Sequence, residues 1–275
     1  MKFKTIGFPI KDGCRVEGSD KGINVLKDYI NFDEIIEIEK KDTDLETVIH
    51  NDLKLAKTVD NAIKEGLIPV TIGGDHSLAI GSIAGSSVNN DIGVLWIDTH
   101  PDSNNNKTTV TFRIHGYPLG ASMGFGQEEL TKLYSDKVKV DYKNVVMFGI
   151  NDIDEPEQEL IDKYNIKTFS YDYIREHGIH ACINEAINYL NSRVSKVHVS
   201  FDIDSITPLE CPGVNVPNRF NKGITKNEAL LTFKEALQRL NVQSIDIVEY
   251  NPLTDKDNKS LDIVLEAMET IKKVS

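Results

Sequence analysis

Four short stretches hold most of the residues that could do chemistry. Gly73-Gly74-Asp75-His76-Ser77, Asp98-Thr99-His100-Pro101-Asp102, Asp202-Ile203-Asp204 and Glu249-Tyr250-Asn251-Pro252 each follow an apolar run directly. Taken singly, a DxD after a strand is commonly a turn or a helix cap. GGDHS reads equally well as a tight turn with Asp75 or Ser77 capping the next helix. Asp98, His100 and Asp102 resist that account, because alternating ligands after a buried run would set several desolvated charges against one another. A cation makes such an arrangement tolerable. His76, Asp98, His100, Asp102, Asp202 and Asp204 supply two imidazoles and four carboxylates, too many for one ion and enough for two that share bridging carboxylates. Oxygen-rich ligation with some nitrogen and no thiolate favours Mn²⁺ or Mg²⁺, and the histidines move the balance toward Mn²⁺. Cys211 follows Asp204 closely but has no second sulfur beside it, which argues against a zinc thiolate site.

Elements must exist to bring these stretches together. Apolar or β-branched runs at 3–8, 34–38, 67–72, 92–97, 144–150, 166–169, 196–201 and 243–248 predict eight strands, and helical periodicity appears at 47–65, 179–193, 225–239 and 261–271. The near-continuous hydrophobicity of 92–97 and 145–147 suits strands covered on both faces. Alternating strands and helices predict a three-layer α/β/α fold with a mostly parallel eight-stranded sheet and right-handed crossovers. Ligands bind such sheets beyond the carboxyl ends of the strands, where all four clusters fall. No linker, repeat or low-complexity tract interrupts the pattern, so one domain is expected across 1–275. Residues 101–125, rich in Asn, Thr and Gly, form the longest region without clear periodicity, and loops of that length are usually functional.

Composition narrows the function classes. Asp and Glu outnumber Lys and Arg by 43 to 31, for a formal charge of -12. A net acidic surface repels phosphate backbones, so no nucleic acid and no anionic membrane is expected as a partner. The longest apolar runs are far below the roughly 20 residues needed to cross a bilayer. The opening MKFKTIGFPI turns polar too early for a signal peptide. Three scattered cysteines (Cys14, Cys182 and Cys211) without a CxxC pair fit a reducing compartment, and a cytoplasmic location is expected.

At this point the chain resembles the ureohydrolase family of arginases, agmatinases, formimidoylglutamases and guanidino-acid hydrolases. GGDHSLAIGSIAG, WIDTHPDSN, SFDIDSITP and DIVEYNP look like that family's four signature blocks in the family's order, and IGFPIKDGCRVEGSDKG resembles an arginase N-terminus. Arginase is the nearest match within the family: His115 follows Asp102 at the arginase interval, and GINDIDEPE at 149–157 resembles the arginase GxRDxDxxE stretch. The resemblance implies two Mn²⁺ ions, the first held by His76, Asp98, Asp102 and Asp202 and the second by His100, Asp98, Asp202 and Asp204, with Asp98 and Asp202 bridging. It implies hydrolysis of a guanidino C–N bond, most simply L-arginine to L-ornithine and urea. Asp102 would steer the proton of the attacking water, His115 would shuttle protons to solvent, and Glu249 would pair with the guanidinium. Asn104, Thr109 and Thr111 stand where arginases contact the substrate carboxylate. Asp154 matches the residue that holds the α-amino group, with Asp152 and Glu157 nearby. Homo-oligomers, trimers or hexamers, are likewise implied.

Several positions depart from the family pattern. Thr99 and Pro101 replace the usual Ala and a polar residue, Thr207 replaces an Asp, and Gly213-Val214-Asn215-Val216-Pro217 replaces an ATGTP-like stretch, with two extra residues before Gly223. Val216 can neither donate nor accept a side-chain hydrogen bond in the guanidinium pocket. Arg113 stands where arginases have Asn, and its fork suits a carboxylate. A substrate with a second carboxylate, as in formimidoylglutamase, or another guanidino or amidino acid, is therefore the alternative. A metal-binding family member without arginine turnover is a third reading.

Overall fold

The computed structural model describes residues 2–274. Eight strands form one sheet: β1 (Phe3–Phe8), β2 (Glu34–Ile35), β3 (Ile68–Gly73), β4 (Gly93–Ile97), β5 (Val145–Ile150), β6 (Lys167–Ser170), β7 (Val197–Asp202) and β8 (Val242–Val248). Their order is β2-β1-β3-β8-β7-β4-β5-β6, and every pairing is parallel, where the sequence predicts a mostly parallel sheet. β4, β5, β7 and β8 are buried at every position, the result of helices lying on both faces.

The pleat sorts the side chains between two cores. Leu95, Ile97, Val146, Phe148 and Phe201 join the face covered by the helices Ile179–Asn191, Lys226–Arg239 and Lys259–Lys273. There Phe201 stacks on Phe233 of the middle helix with ring centroids 5.1 Å apart. Each such side chain contributes about 1.5–3 kcal/mol on full burial. Val94, Trp96, Val145 and Met147 turn the other way, toward Ala79 and Ile83 of the helix Ala79–Ser87. Ile6 and Phe8 of β1 pack on Val48 and Leu55 of the long helix Asp44–Lys64. That helix begins three residues before the expected 47, because Thr43 and Glu46 close a capping box.

Three expectations about elements change. β2 has two paired residues rather than five: Ile36 N still donates to Gly7 O at 2.9 Å, but the chain then leaves the edge, and Asn51 takes over the backbone at Glu39. The helix Ala79–Ser87 shows no helical periodicity in the sequence, and only the reading of GGDHS as a cap for a following helix points to it. Residues 101–125 are not wholly irregular, since a 3₁₀ turn (Ile114–Gly116) and a short helix (Pro118–Ser122) end that segment.

The chain order of the central strands is what builds the site. β7 and β8, made last, lie between β3 and β4, so the carboxyl ends of β3, β8, β7 and β4 stand side by side. His76, Glu249, Asp202 with Asp204, and Asp98 with His100 and Asp102 follow those four ends. This reversal of strand order opens the crevice in which doubly wound sheets bind ligands.

Candidate active site and metal centre

Asp98 is the first residue beyond β4 and sits at the middle of the acid cluster. One group of ligand atoms comes from His76, Asp98 and Asp202, a second from Asp98, His100 and Asp204, and in each group the atoms lie within 4.8 Å of one another. His76 Nδ1 is 3.1 Å from Asp98 Oδ2, 3.1 Å from Asp102 Oδ2 and 2.9 Å from Asp202 Oδ2. His100 Nδ1 is 3.1 Å from Asp204 Oδ2 and 3.6 Å from Asp98 Oδ1. All six expected ligands are therefore brought together. Asp98 joins both groups, as a bridging carboxylate must. Asp202 joins only the group around His76, and its Oδ1 accepts a hydrogen bond from Asp204 N at 2.8 Å.

The donors are held from behind. His76 stacks on Trp96 at 4.1 Å between centroids with the rings 3° from parallel, and its Nε2 lies 2.8 Å from Ser200 Oγ. Nε2–H donating to that hydroxyl leaves the Nδ1 lone pair facing the acids, the usual way an outer partner fixes a ligating imidazole. His100 N donates to Asp98 Oδ1 at 2.7 Å, and Trp96 Nε1 donates to His100 O at 3.3 Å. Asp102 and Glu249 adopt φ of 44° and 71°, left-handed conformations that non-glycine residues rarely hold. Such strain persists where the surrounding structure over-determines it, and it clusters at functional sites.

Electrostatics give the fit test for a cation. His76 Nδ1, Asp98 Oδ2 and Asp204 Oδ1 are buried without a hydrogen-bond partner among the described residues, although opposite charges stand about them. Burial pulls the His76 and His100 imidazoles down, but the surrounding carboxylates hold both well above the ordinary value. Burial and neighbouring carboxylates push Asp202 well up and Asp204 up to about 7, and burial with the Asp98 charge raises Asp102. Asp98 goes the other way: burial raises it, and His100 and His76 together hold it below the usual carboxylate range. A cluster that must borrow protons from its histidines to offset its own repulsion is one that divalent cations neutralise directly. Oxygen and imidazole donors without sulfur match Mn²⁺ or Mg²⁺.

Beside the acids lies a cavity of about 170 Å³. It is smaller than the ~300–1,000 Å³ typical of drug-sized ligands and suits a small metabolite. Asn104, Thr109, Thr111, Arg113, Asp152, Asp154 and Glu157 all line it, together with His100, Asp102, His115 and Val216. His115 Nδ1 is 3.1 Å from Glu249 Oε1. Glu249 is 1% exposed, so it is no surface salt bridge. Its Oε1 accepts from His76 N at 2.7 Å and its Oε2 from Asn215 Nδ2 at 2.5 Å. Burial raises Glu249, and the bonds from His115 and His76 bring it below its ordinary value. Burial lowers His115, while Cys14 and Glu249 hold it well above the ordinary imidazole value.

The acidic turn at 149–157 is more committed internally than its sequence suggests. Asp154 caps the helix Glu155–Tyr164, and Glu157 completes the capping box. Glu157 Oε1 accepts from Ser103 N at 2.9 Å and Oε2 from Asp154 N at 3.1 Å, so both its oxygens face backbone amides. Asp154 Oδ2 accepts from Asn104 Nδ2 at 3.2 Å. Arg219, which carries no spacing signal in the sequence, pairs with Asp152 and reaches Asp154 Oδ1 at 3.1 Å. Asn215 and Asn218 were also missed: the first supports Glu249, and the second donates to Thr99 Oγ1 at 2.6 Å. Arg113 lines the cavity with no ion-pair partner among the described residues.

Comparison with known proteins agrees with this geometry. The profile of the Arginase family matches residues 17–271. The chain is 36% identical over 227 residues to an arginase of Bacillus caldovelox, which covers 82% of this chain and 75% of that relative. The solved structure of Bacillus caldovelox arginase at pH 5.6 superposes with a TM-score of 0.92 at 30% identity, covering 98% of this chain and 97% of that one. The Entamoeba histolytica arginase solved with L-ornithine superposes at 0.84 with 28% identity and covers 99% of each chain. Fold and site thus define a three-layer α/β/α hydrolase of C–N bonds. The chain belongs to the arginase family.

Proposed function

We propose that this protein hydrolyses the guanidinium C–N bond of L-arginine to give L-ornithine and urea, with two Mn²⁺ ions as cofactor. The observation that carries this reading is the small cavity lined together by His100 and Asp102 of the acid cluster, by His115, which holds the buried Glu249 behind it, and by the Asn104–Asp154 pair. His76, Asp98, Asp102 and Asp202 would hold one ion and His100, Asp98, Asp202 and Asp204 the other. When bound, such a pair lowers the pKa of a water molecule and stabilises the charge that develops on attack.

The chain's own residues do the rest. Glu249, fixed through His76 N and Asn215, presents a carboxylate to the cationic guanidinium. Asp102 Oδ accepts the proton of the water that attacks the guanidinium carbon and passes it toward the nitrogen of the breaking C–N bond. That nitrogen leaves as the amine of ornithine, and the carbon keeps the water oxygen as urea. His115, half-buried and open to the cavity, returns a proton from solvent. Asn104, Thr109 and Thr111 offer donors to the α-carboxylate, and Asp154 offers an acceptor to the α-ammonium. The net acidic composition fits an enzyme without nucleic-acid or anionic-membrane partners, the scattered cysteines fit a cytoplasmic location, and among the described residues no helix is long and apolar enough to cross a membrane. Trimers or hexamers are the assembly that the family resemblance implies.

One observation favours a second reading. Arg219 pairs with both Asp152 and Asp154, offsetting one of their two charges, and Arg113 stands at the same cavity without an ion-pair partner among the described residues. A formimidoyl or guanidino acid with a carboxylate in place of the α-ammonium would meet Arg113 there. Incubating the Mn²⁺-loaded protein with arginine, agmatine, guanidinobutyrate and formimidoylglutamate, and quantifying urea and formamide, separates the two. Urea from arginine in clear excess supports the first reading. Product only from another of the four replaces it, and no product with both ions bound leaves a metal-binding protein without turnover.

A further inference from the structure

A third group of potential ligands stands next to the acid cluster and shares none of its six residues. Cys14 Sγ, a ring nitrogen of His115 and a carboxylate oxygen of Glu249 lie within 4.8 Å of one another. Cys14 and Glu249 are 0% and 1% exposed. The loop that carries the thiol is fixed in place: Cys14 N donates to Asp75 Oδ2 at 2.9 Å, and Gly13 O accepts from His115 N at 3.3 Å. A Cβ on Gly13 would lie 2.5 Å from Asp75 Oδ1, so the thiol approaches the site only because glycine precedes it.

We propose that Cys14, His115 and Glu249 form a separate binding site for a thiophilic divalent cation of the Zn²⁺ type, whose occupancy disables His115. Thiolate and carboxylate together balance two positive charges, so the loaded set is neutral and its burial is tolerable. Sulfur and imidazole are the donors that Zn²⁺ takes readily, whereas hard cations such as Mg²⁺ and Mn²⁺ favour the all-oxygen-and-imidazole cluster beside it. Three protein ligands leave a fourth position, and His115 borders the 170 Å³ cavity, which gives the ion an entry and a water to complete its shell. Binding replaces the thiol proton and the proton shared by His115 and Glu249. An imidazole so bound cannot carry protons, and a carboxylate so bound cannot pair with a guanidinium. This consequence for catalysis rests on the roles given to His115 and Glu249 under Proposed function, while the binding itself does not.

Cobalt(II) gives the test, because a thiolate ligand adds a near-ultraviolet charge-transfer band that carboxylate and imidazole cannot produce. Cys182, in the helix Ile179–Asn191, and Cys211, against Ser260, belong to no ligand group among the described residues. Protein preloaded with Mn²⁺ is titrated with Co²⁺ and then with Zn²⁺, following the band, bound manganese and urea release. The expected result is a band saturating at one equivalent, its loss on adding Zn²⁺, and loss of hydrolysis in step with Zn²⁺ occupancy. Cys14→Ser should lack the band, keep its manganese and resist that equivalent of Zn²⁺. No band from the folded wild type, or a band that survives in Cys14→Ser, overturns the proposal. If the serine variant does not fold, Cys14→Ala takes its place in the same titration, and a band that survives in it overturns the proposal. A thiolate band in a protein that hydrolyses no guanidine would keep the site and remove the hydrolase reading.

Discussion

Replacing Glu249 by glutamine changes one atom and removes one charge, and the hydrogen bonds around the side chain determine the damage. Glu249 Oε1 takes His76 N at 2.7 Å and faces His115 Nδ1 at 3.1 Å, while Oε2 takes Asn215 Nδ2 at 2.5 Å. An amide nitrogen at the first position would oppose the N–H of His76. At the second it would oppose Asn215 Nδ2 unless Asn215 turns over. Asn215 Oδ1 accepts from Asn251 Nδ2 at 2.9 Å, so turning Asn215 forces Asn251 to turn as well. Asn251 cannot turn freely, since its Nδ2 also donates to Glu17 O at 2.9 Å and its Oδ1 accepts from Leu253 N at 2.9 Å. Either orientation leaves one buried donor without an acceptor, a cost of about 1–3 kcal/mol. At ~2–4 °C per kcal/mol for a domain near this size, the melting temperature should fall by roughly 2–12 °C. Activity should fall further than stability. A charge-assisted hydrogen bond to the guanidinium contributes about 1.5–3 kcal/mol, so kcat/KM for arginine should drop roughly 10- to 150-fold. Urea release and a thermal melt on the same Mn²⁺-loaded preparation test both. A folded Glu249→Gln protein with kcat/KM within threefold of wild type would refute the role of this carboxylate.

Three further outcomes are expected. Asp98 serves both ligand groups and Asp204 only one, so Asp98→Asn should lose both equivalents of manganese and Asp204→Asn about one, measured by elemental analysis after dialysis; chelating the wild type should lower its melting temperature, by about 2.7 kcal/mol of stability per site relative to saturation at a hundredfold over Kd. Arg219→Ala frees Asp152 and Asp154, so KM for arginine should fall relative to KM for agmatine with kcat little changed; a parallel shift for both substrates would show that Arg219 does not cover the amino-group site. Burial pushes Glu157 up to about 8 against the amides of Ser103 and Asp154. Its folded value lies above its unfolded one, so its stability contribution is full below about pH 4.5 and is lost as pH rises through about 8. Glu157→Gln does not titrate, and the melting temperature of the metal-free variant minus that of wild type should rise across that window. Parallel curves would refute this account.

The strands were legible because a sheet buried on both faces leaves runs such as 92–97 and 145–150 with almost no polar residue. The polar residues immediately after those runs then stand out, and the six acid-cluster positions could be read from that contrast. The helix Ala79–Ser87 was not legible for the opposite reason. Its residues are small and nearly all buried, so no polar face marks a period. It packs so closely on its neighbour that a Cβ on Gly81 would lie 2.6 Å from Asp52 O and one on Gly85 2.3 Å from Ala56 O. β2 was over-read because three isoleucines among the five residues at 34–38 mimic a strand, whereas an edge needs only two paired residues before the chain can leave it. Arg219 lies in a loop with no period at all. Its partners, Asp152 and Asp154, are distant in sequence, so only the folded chain shows that it occupies their carboxylates. The support of Glu249 by Asn215 was hidden likewise, although Asn215 lies inside the stretch that departs from the family pattern.

The placement of β7 and β8 between β3 and β4 has a consequence for how the molecule is made. During synthesis β3 and β4 emerge early, and in the finished sheet they never touch each other. A nascent chain that has released His76, Asp98, His100 and Asp102 still lacks Asp202, Asp204 and Glu249, and the two strands that present them fill a gap that must stay open until the end. The amino-terminal segments therefore wait with two unsatisfied strand edges, the condition under which strands mispair. Metal capture cannot guide that wait, because neither ligand group is complete until β7 has left the ribosome. The centre that defines this enzyme is in that sense a seal, set only after the last wedge of the sheet has been driven home.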